Sequence, residues 1–263
     1  MKYVLVTGAG GGMGEAVVQK LSDNGYCVFA LDRQPIEKRQ NVIPLQVDLC
    51  DSVQVEKAFE YVKEKTDKLY AIIHFAGIYM LDSLFEISEQ EFTRAFSINV
   101  FSAFRVNKIF QPLLKKGSKI IITTSELAPL DPLPFTGLYA ITKSTLDKYA
   151  FSLRMEAQLL GVSVTALRCG AIDTGMINHS TQALERFCNQ TKLYSCNAKR
   201  FKTVVDRVEA RKVSPQKVAN KVAKTLNKKR APFIVKINRN PLLLLLNLLP
   251  ERVQTAIIKK ILK

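Results

Sequence analysis

No apolar run in the 263-residue sequence approaches the roughly 20 residues that a membrane-spanning helix needs. Nor does it open on a secretory leader. Met1-Lys2 runs straight into Tyr3-Val4-Leu5-Val6, too short for a signal-peptide core, so a cytoplasmic protein is expected. Cysteine is scarce: the five thiols (Cys27, Cys50, Cys169, Cys188 and Cys196) are odd in number and fall in no metal-ligand spacing. That argues against a zinc site and a disulfide framework, and for reduced thiols. Histidine is limited to His74 and His179, and His179, standing alone, reads as incidental rather than catalytic. No internal repeat is visible.

Acidic residues run short at one end only. Residues 199–263 hold 18 Lys and Arg against three acids, Asp206, Glu209 and Glu251, whereas residues 1–198 are near balance at 21 to 20. The formal net charge of +16 therefore belongs almost wholly to the last quarter, which must meet something the body does not. Apart from that imbalance, 47% hydrophobic and 24% charged residues describe an ordinary globular protein, long enough for one large domain.

What is present is a regular alternation. Short, Val- and Leu-rich runs at 3–7, 26–31, 42–47, 69–75, 119–124, 162–167 and 233–237 fit buried strands. Between them lie helical patterns. One opens at Glu15, and another is capped by Asp51. A third starts at the capping box Ser88-Glu89-Gln90-Glu91 and is kinked or ended by Pro112. The others run from Tyr139 to Leu160 and from the Ser214-Pro215 pair. Strands alternating with helices predict an α/β fold with a single doubly wound parallel sheet. The segment 171–211 is longer than a normal connection and is expected to cover a binding site.

A parallel sheet binds ligands beyond the carboxyl ends of its strands, and the first run here ends in Thr7-Gly8-Ala9-Gly10-Gly11-Gly12-Met13-Gly14. Glycines there let the backbone turn tightly and approach a pyrophosphate at a helix N-terminus. Asp32, at the end of the second run, is placed to hydrogen-bond a ribose 2′-hydroxyl and repel a 2′-phosphate. No cation lies within the glycine loop, so NAD is favoured over NADP, with Arg33 the one dissenting residue. Farther on, Tyr139-Ala140-Ile141-Thr142-Lys143 sets a phenol and an ammonium four apart on one helical face. Such a lysine is expected to lower the tyrosine pKa and make it a usable acid/base.

Taken together these residues resemble the short-chain dehydrogenase/reductase family over about residues 3–240. The glycine motif, Asp48-Leu49, Ala76-Gly77, Asn99, Ser125 and Tyr139-x3-Lys143 fall in the family's order. The resemblance implies a Rossmann-type sheet in a single domain (1–238), beyond which the basic residues 239–263 are expected to form a helical C-terminal extension. It implies that Tyr139 is the general acid/base, that Ser125 donates to the substrate oxygen, and that Lys143 holds the nicotinamide ribose. Asn99 would hold a water in the proton relay. Gly8, Gly12, Met13, Gly14, Asp32, Asp48, Leu49, Ala76, Gly77, Ile172 and Thr174 would line the dinucleotide site together with Tyr139 and Lys143. A homodimer or homotetramer assembled through the long helices near 89–111 and 139–160 is also implied. The expected activity is interconversion of a secondary alcohol and a ketone. The alternatives are reduction of a small polar metabolite or sugar and, from another class, dinucleotide binding without turnover.

Three positions depart from the family pattern. His74-Phe75 replaces the usual asparagine pair before Ala76-Gly77. Cys169 stands where a proline is usual and reads as structural. Ser125 precedes Tyr139 by fourteen positions rather than thirteen, a difference that a longer turn through Pro129, Pro132 and Pro134 can absorb.

The tail begins with seven leucines between Pro241 and Pro250, too short a block to cross a bilayer. Next, Val253, Ile257 and Ile261 share one helical face with Ile258 and Leu262 beside them, and Arg252, Lys259, Lys260 and Lys263 gather opposite. That is the pattern of a helix lying in a membrane surface, where anionic headgroups attract cations. Peripheral membrane association is expected, the alternative being a leucine helix packed over the substrate cleft or at a subunit interface. A lipophilic substrate such as a steroid, retinoid or lipid alcohol is expected with it. Leucine blocks without interleaved aromatics argue against nucleic acid.

Overall fold

The computed structural model describes residues 1–209 and 211–263, with the side chains of 175–182 and 206–209 outside the description. The His179 side chain lies outside the described residues.

Seven strands form one parallel sheet: β1 (Lys2–Thr7), β2 (Tyr26–Asp32), β3 (Val42–Gln46), β4 (Leu69–His74), β5 (Leu114–Ser125), β6 (Ser163–Cys169) and β7 (Ile234–Ile237). Their order is β3-β2-β1-β4-β5-β6-β7, and every pair is parallel. The direction of winding therefore reverses between β1 and β4, where a crevice opens at the strand ends. Val4, Leu5 and Val6 are fully buried, as continuous apolar runs in a doubly covered sheet should be. On one face α1 (Gly12–Asp23) and α8 (Pro215–Leu226) contribute Val17, Leu21, Val218 and Val222 to the core. On the other, α2 (Ser52–Lys65), α4 (Ser102–Phe110) and α5 (Gly137–Ala157) contribute Val55, Val62, Phe110 and Leu146. The Asp51 cap is present, its carboxylate accepting from the Val53 and Gln54 N–H groups. The Ser88 cap is present too, accepting from Glu91 N–H.

The single helix expected from Glu89 to Pro112 is instead α3 (Glu89–Phe96), a π-helical turn (Ser97–Phe101) and α4. The wide turn contains Asn99, whose side chain is bonded outside the helix and holds the backbone there. β5 starts five residues earlier than expected, at Leu114. Its register against β4 slips between Leu69 and Ala71, around the left-handed Gly117. α5 starts two residues before Tyr139, with Gly137 pressed against Leu84. The covering segment is helical, comprising α6 (Gly175–Gln190) and α7 (Ser195–Glu209).

The tail forms α9 (Pro241–Leu246) and α10 (Glu251–Leu262), and α10 packs along α7. Leu262 joins Leu81, Leu184 and Phe201 in a small core, and the Asn197 amide donates to the Leu262 carbonyl at 2.7 Å. Gln254 also turns inward, donating to Asp131 at 3.1 Å. This seating divides the apolar residues of α10. Ile258 and Leu262 face the body, while Val253, Ile257 and Ile261 remain 43%, 36% and 53% exposed. No helix among the described residues is long and apolar enough to cross a membrane.

Candidate active site

The glycine turn after β1 is built to tolerances that exclude side chains. A Cβ on Gly14 would lie 2.0 Å from the Gly8 carbonyl oxygen, and one on Gly8 would lie 2.5 Å from Ala76 N. Gly8 itself has φ +65, a left-handed conformation that glycine adopts without strain. Gly12 abuts Thr174, which a Cβ would meet at 2.8 Å, so the loops after β1 and β6 touch here. Met13 and Ile172 flank that contact, and Ile172 pairs with Val213.

Asp32 closes one end of the turn. Its Oδ2 accepts from Gly10 N–H at 2.9 Å and its Oδ1 from Gln34 N–H at 3.0 Å, which fixes the carboxylate at the strand end. A cleft of about 1080 Å³ extends from it, lined among others by Gly8, Arg33, Asp48, Leu49, Ala76 and Gly77. Asp48 is held in its turn by Cys50 N–H at 2.8 Å. Gly-rich turn, carboxylate and cleft thus converge on the helix N-terminus of α1. This is the donor set and the side-chain-free cradle that a dinucleotide requires. The residues fit that group, Asp32 lying on one side of the glycine turn and Thr174 against Gly12 on the other.

Past Gly77 lies the second half of the site. Asn99, 1% exposed, accepts from Ile78 N–H at 2.7 Å and donates to the Ile78 carbonyl and to Thr142 Oγ1, both at 3.0 Å. Gly77 is narrow for the same reason: a Cβ there would meet Asn99 Oδ1 at 3.2 Å and Lys143 Nζ at 3.4 Å. Lys143 Nζ donates to the Thr123 carbonyl at 3.2 Å and lies 5.8 Å from the centre of the Tyr139 ring. Burial lowers its pKa to about 8, with Cys169 opposing. Asn99 thus serves here as a brace on the β4 loop and on α5, bonds that the family role of water holder does not describe.

Tyr139 shares a side-chain hydrogen bond with Ser125, whose Oγ also accepts from Leu127 N–H at 3.1 Å. The extra residue in the turn leaves that pairing intact. One expectation is corrected. The Tyr139 phenol is held above its ordinary pKa, not below it. Burial is the largest cause; Ser125 opposes it, while Cys169 and Glu126 add to it. Packing around the ring, including the Tyr79 ring edge-on at 4.6 Å, denies a phenolate its water more than the Ser125 hydrogen bond compensates. Cys169 is buried, its thiol raised to about 12 mainly by burial, an inert lining group in agreement with the structural reading.

His74, in the place of an asparagine, is 3% exposed and bonds to Asn107 Oδ1 at 2.9 Å; the Asn107 amide in turn donates to Tyr149 at 3.1 Å. Burial lowers the imidazole pKa to about 4.

A cavity of about 180 Å³ adjoins Tyr139, Ser125 and Lys143. Its remaining wall is largely apolar, with Leu127, Leu133, Phe201, Val205 and Leu243 from three separate stretches of chain. Phe201 and Val205 belong to the 171–211 segment expected to cover the site, and Leu243 to the leucine block between Pro241 and Pro250; Glu126, also on the wall, carries no motif. Thr142, the partner of Asn99, was likewise unmarked, being one helical residue between Tyr139 and Lys143.

Known proteins resemble the chain in sequence and in fold. The chain is 25% identical over 237 residues to a 3-ketodihydrosphingosine reductase of Bacteroides thetaiotaomicron, covering 90% of this chain and 87% of that one. Estradiol 17-beta-dehydrogenase 2 of Mus musculus is 31% identical over 187 residues, 66% of this chain but only 49%, about half, of the mouse protein. In fold, a short chain dehydrogenase from Burkholderia cenocepacia, solved in complex with NADP, superposes with a TM-score of 0.73 over 100% of both chains at 20% identity. The short chain dehydrogenase family profile matches residues 2–185. The chain belongs to the short-chain dehydrogenases, oxidoreductases whose fold binds a nicotinamide dinucleotide.

Proposed function

We propose that the protein interconverts a secondary alcohol and a ketone of lipophilic character, with NAD(H) as the cofactor. The observation that carries the substrate class is the wall of Leu127, Leu133, Phe201, Val205 and Leu243 around the Tyr139 phenol. A dinucleotide held along Gly8, Gly12, Gly14 and Asp32 would supply the hydride for the carbonyl carbon, or accept it from the carbinol carbon. Tyr139 gives its phenolic proton to the carbonyl oxygen, and its raised pKa keeps that proton in place until negative charge develops. Ser125 Oγ hydrogen-bonds the same oxygen, favouring the charge of the transition state. Lys143 holds the ribose, while Asn99 keeps Ile78 and Thr142 in place beside it. The test is reductase and dehydrogenase turnover across steroids, retinoids, long-chain ketones and small polar ketones. Turnover confined to the polar group would overturn the lipophilic reading.

Asp32 supports NAD, since its fixed carboxylate would repel a 2′-phosphate; Arg33 on the same cleft is the rival feature. Titration of nicotinamide fluorescence decides between them, and tighter NADPH than NADH would overturn the choice.

We further propose that residues 239–263 form an extension of the 1–238 unit that rests on anionic membrane. Leu242, Leu245 and Leu248 are 63%, 60% and 80% exposed, as the outward residues of α10 are. Neighbouring cations could each add about 1 kcal/mol of attraction to such a surface. Co-sedimentation with phosphatidylserine vesicles should be lost in Leu245→Glu/Leu248→Glu; equal pelleting of both proteins would rule the surface out. Exposed Phe101, Phe104, Phe151 and Met155 on α4, α5 and the turn before α4 support a homo-oligomer, measurable by light scattering.

A further inference from the structure

One carboxylate stands in the wall of the catalytic cavity. Glu126 follows Ser125 directly, and its N–H donates to the Cys169 carbonyl at 2.9 Å, continuing the β5–β6 ladder and fixing the side chain beside the reacting groups. The residue is only 9% exposed. Its Oε2 accepts from Asn240 N–H at 2.6 Å, the first residue of the tail to reach the site. Its Oε1 lies over Gly170, another wall residue, where a Cβ would approach it to 2.8 Å. No hydrogen bond to Oε1 and no ion pair to the carboxylate is made among the described residues; Arg239 acts on it only from farther off. Burial accordingly raises the Glu126 carboxyl above its ordinary range, with Asn240 N–H and Arg239 opposing.

A neutral glutamine could accept the Asn240 N–H equally well without a buried charge. An ionised carboxylate with one neutral donor is under-compensated, and a cation entering the cavity would relieve it. The position is close enough to act on the reaction centre, since Glu126 contributes to the raised pKa of both Tyr139 and Cys169.

We propose that Glu126 selects substrates bearing a protonated amine within a few bonds of the reacting carbon: an amino ketone or amino alcohol with an aliphatic remainder. The amine would be held by Oε1 over Gly170 while the apolar wall takes the chain. The assignment rests on the reading of Tyr139 and Ser125 as an alcohol–ketone site for apolar substrates.

The test uses the full chain with reduced dinucleotide and two probes, a long-chain α-amino ketone and the same ketone without the amine. Wild type should prefer the amino ketone in kcat/KM by about tenfold or more, mostly through KM. In Glu126→Gln, which keeps an acceptor for Asn240 N–H, that ratio should fall to about one. A wild type that treats the two ketones alike overturns the proposal. So does a variant that loses activity on both while keeping the ratio, because Glu126 would then only support the wall. A variant whose main change is in dinucleotide affinity, with the ratio intact, also overturns it. Absence of turnover with either ketone overturns the alcohol–ketone reading instead. In that case calorimetric titration with the matched amino alcohol and plain alcohol decides the amine question, and equal affinities overturn it.

Discussion

Asn99 holds both backbone groups of Ile78, accepting from its N–H at 2.7 Å and donating to its carbonyl at 3.0 Å. One buried amide thereby fixes the loop that carries Ala76 and Gly77 and, through Thr142, the first turns of α5. Replacing Asn99 with alanine takes the partner from both backbone groups of Ile78 and leaves Thr142 Oγ1 only its bond to the Tyr139 carbonyl. We expect a stability loss of about 2–3 kcal/mol. Turnover should fall about ten- to a hundredfold as the site loosens. Urea denaturation and steady-state kinetics on one preparation check both, and a variant that matches wild type in each would show the brace to be dispensable.

Tyr139→Phe removes the transferable proton and leaves the ring against Tyr79. Turnover should drop about a hundred- to ten-thousandfold. Dinucleotide binding, followed by fluorescence, should persist. Unchanged turnover would sink the acid/base assignment.

His74 makes stability depend on pH. Its pKa falls from 6.5 in the unfolded chain to about 4 in the fold, so between those values the unfolded state binds the extra proton. The stability is whole above 6.5 and is lost as the pH falls through 4, a decline of about 3 kcal/mol. Denaturation midpoints for wild type and His74→Asn across this window test the linkage. A wild-type slope that survives in the variant would assign it elsewhere.

How much of this was legible beforehand varies with the kind of signal. The strand runs, the Asp51 and Ser88 caps, the glycine turn and Asp32 are local patterns that one stretch of chain determines, and the observed elements begin and end within a few residues of them. The π turn is different. Its cause is a bond from Asn99 to Ile78, 21 positions away, which no periodicity encodes. The sign of the Tyr139 shift depends on burial by packing from separate segments, and pairwise spacing with Lys143 could not supply it. Helical phase gave the two faces of α10 correctly as a pattern, but Leu81 and Phe201 decide which face turns in.

Asp147 and Arg168 supply another contact invisible to motif reading. The guanidinium donates to the two carboxylate oxygens at 2.9 and 2.6 Å, and Thr124 Oγ1 adds a bond at 3.1 Å, tying α5 to the ends of β5 and β6. Both side chains are mostly buried. Asp147→Ala leaves the cation uncompensated and should cost about 3 kcal/mol. A change below about 0.5 kcal/mol, the range of ordinary surface substitutions, would mean that water reaches the pair freely.

The bonds from Glu126 to Asn240 and from Asp131 to Asn247 and Gln254 join positions more than a hundred residues apart. During synthesis the sheet can close once β7 has emerged, yet Glu126 and Asp131 beside Ser125 lack their partners until residues 240–254 have left the ribosome. A premature stop within the tail is therefore an active-site lesion in a chain whose core can still assemble. Such products should be folded by circular dichroism yet altered in catalysis, and a truncated chain with wild-type kinetics would contradict this.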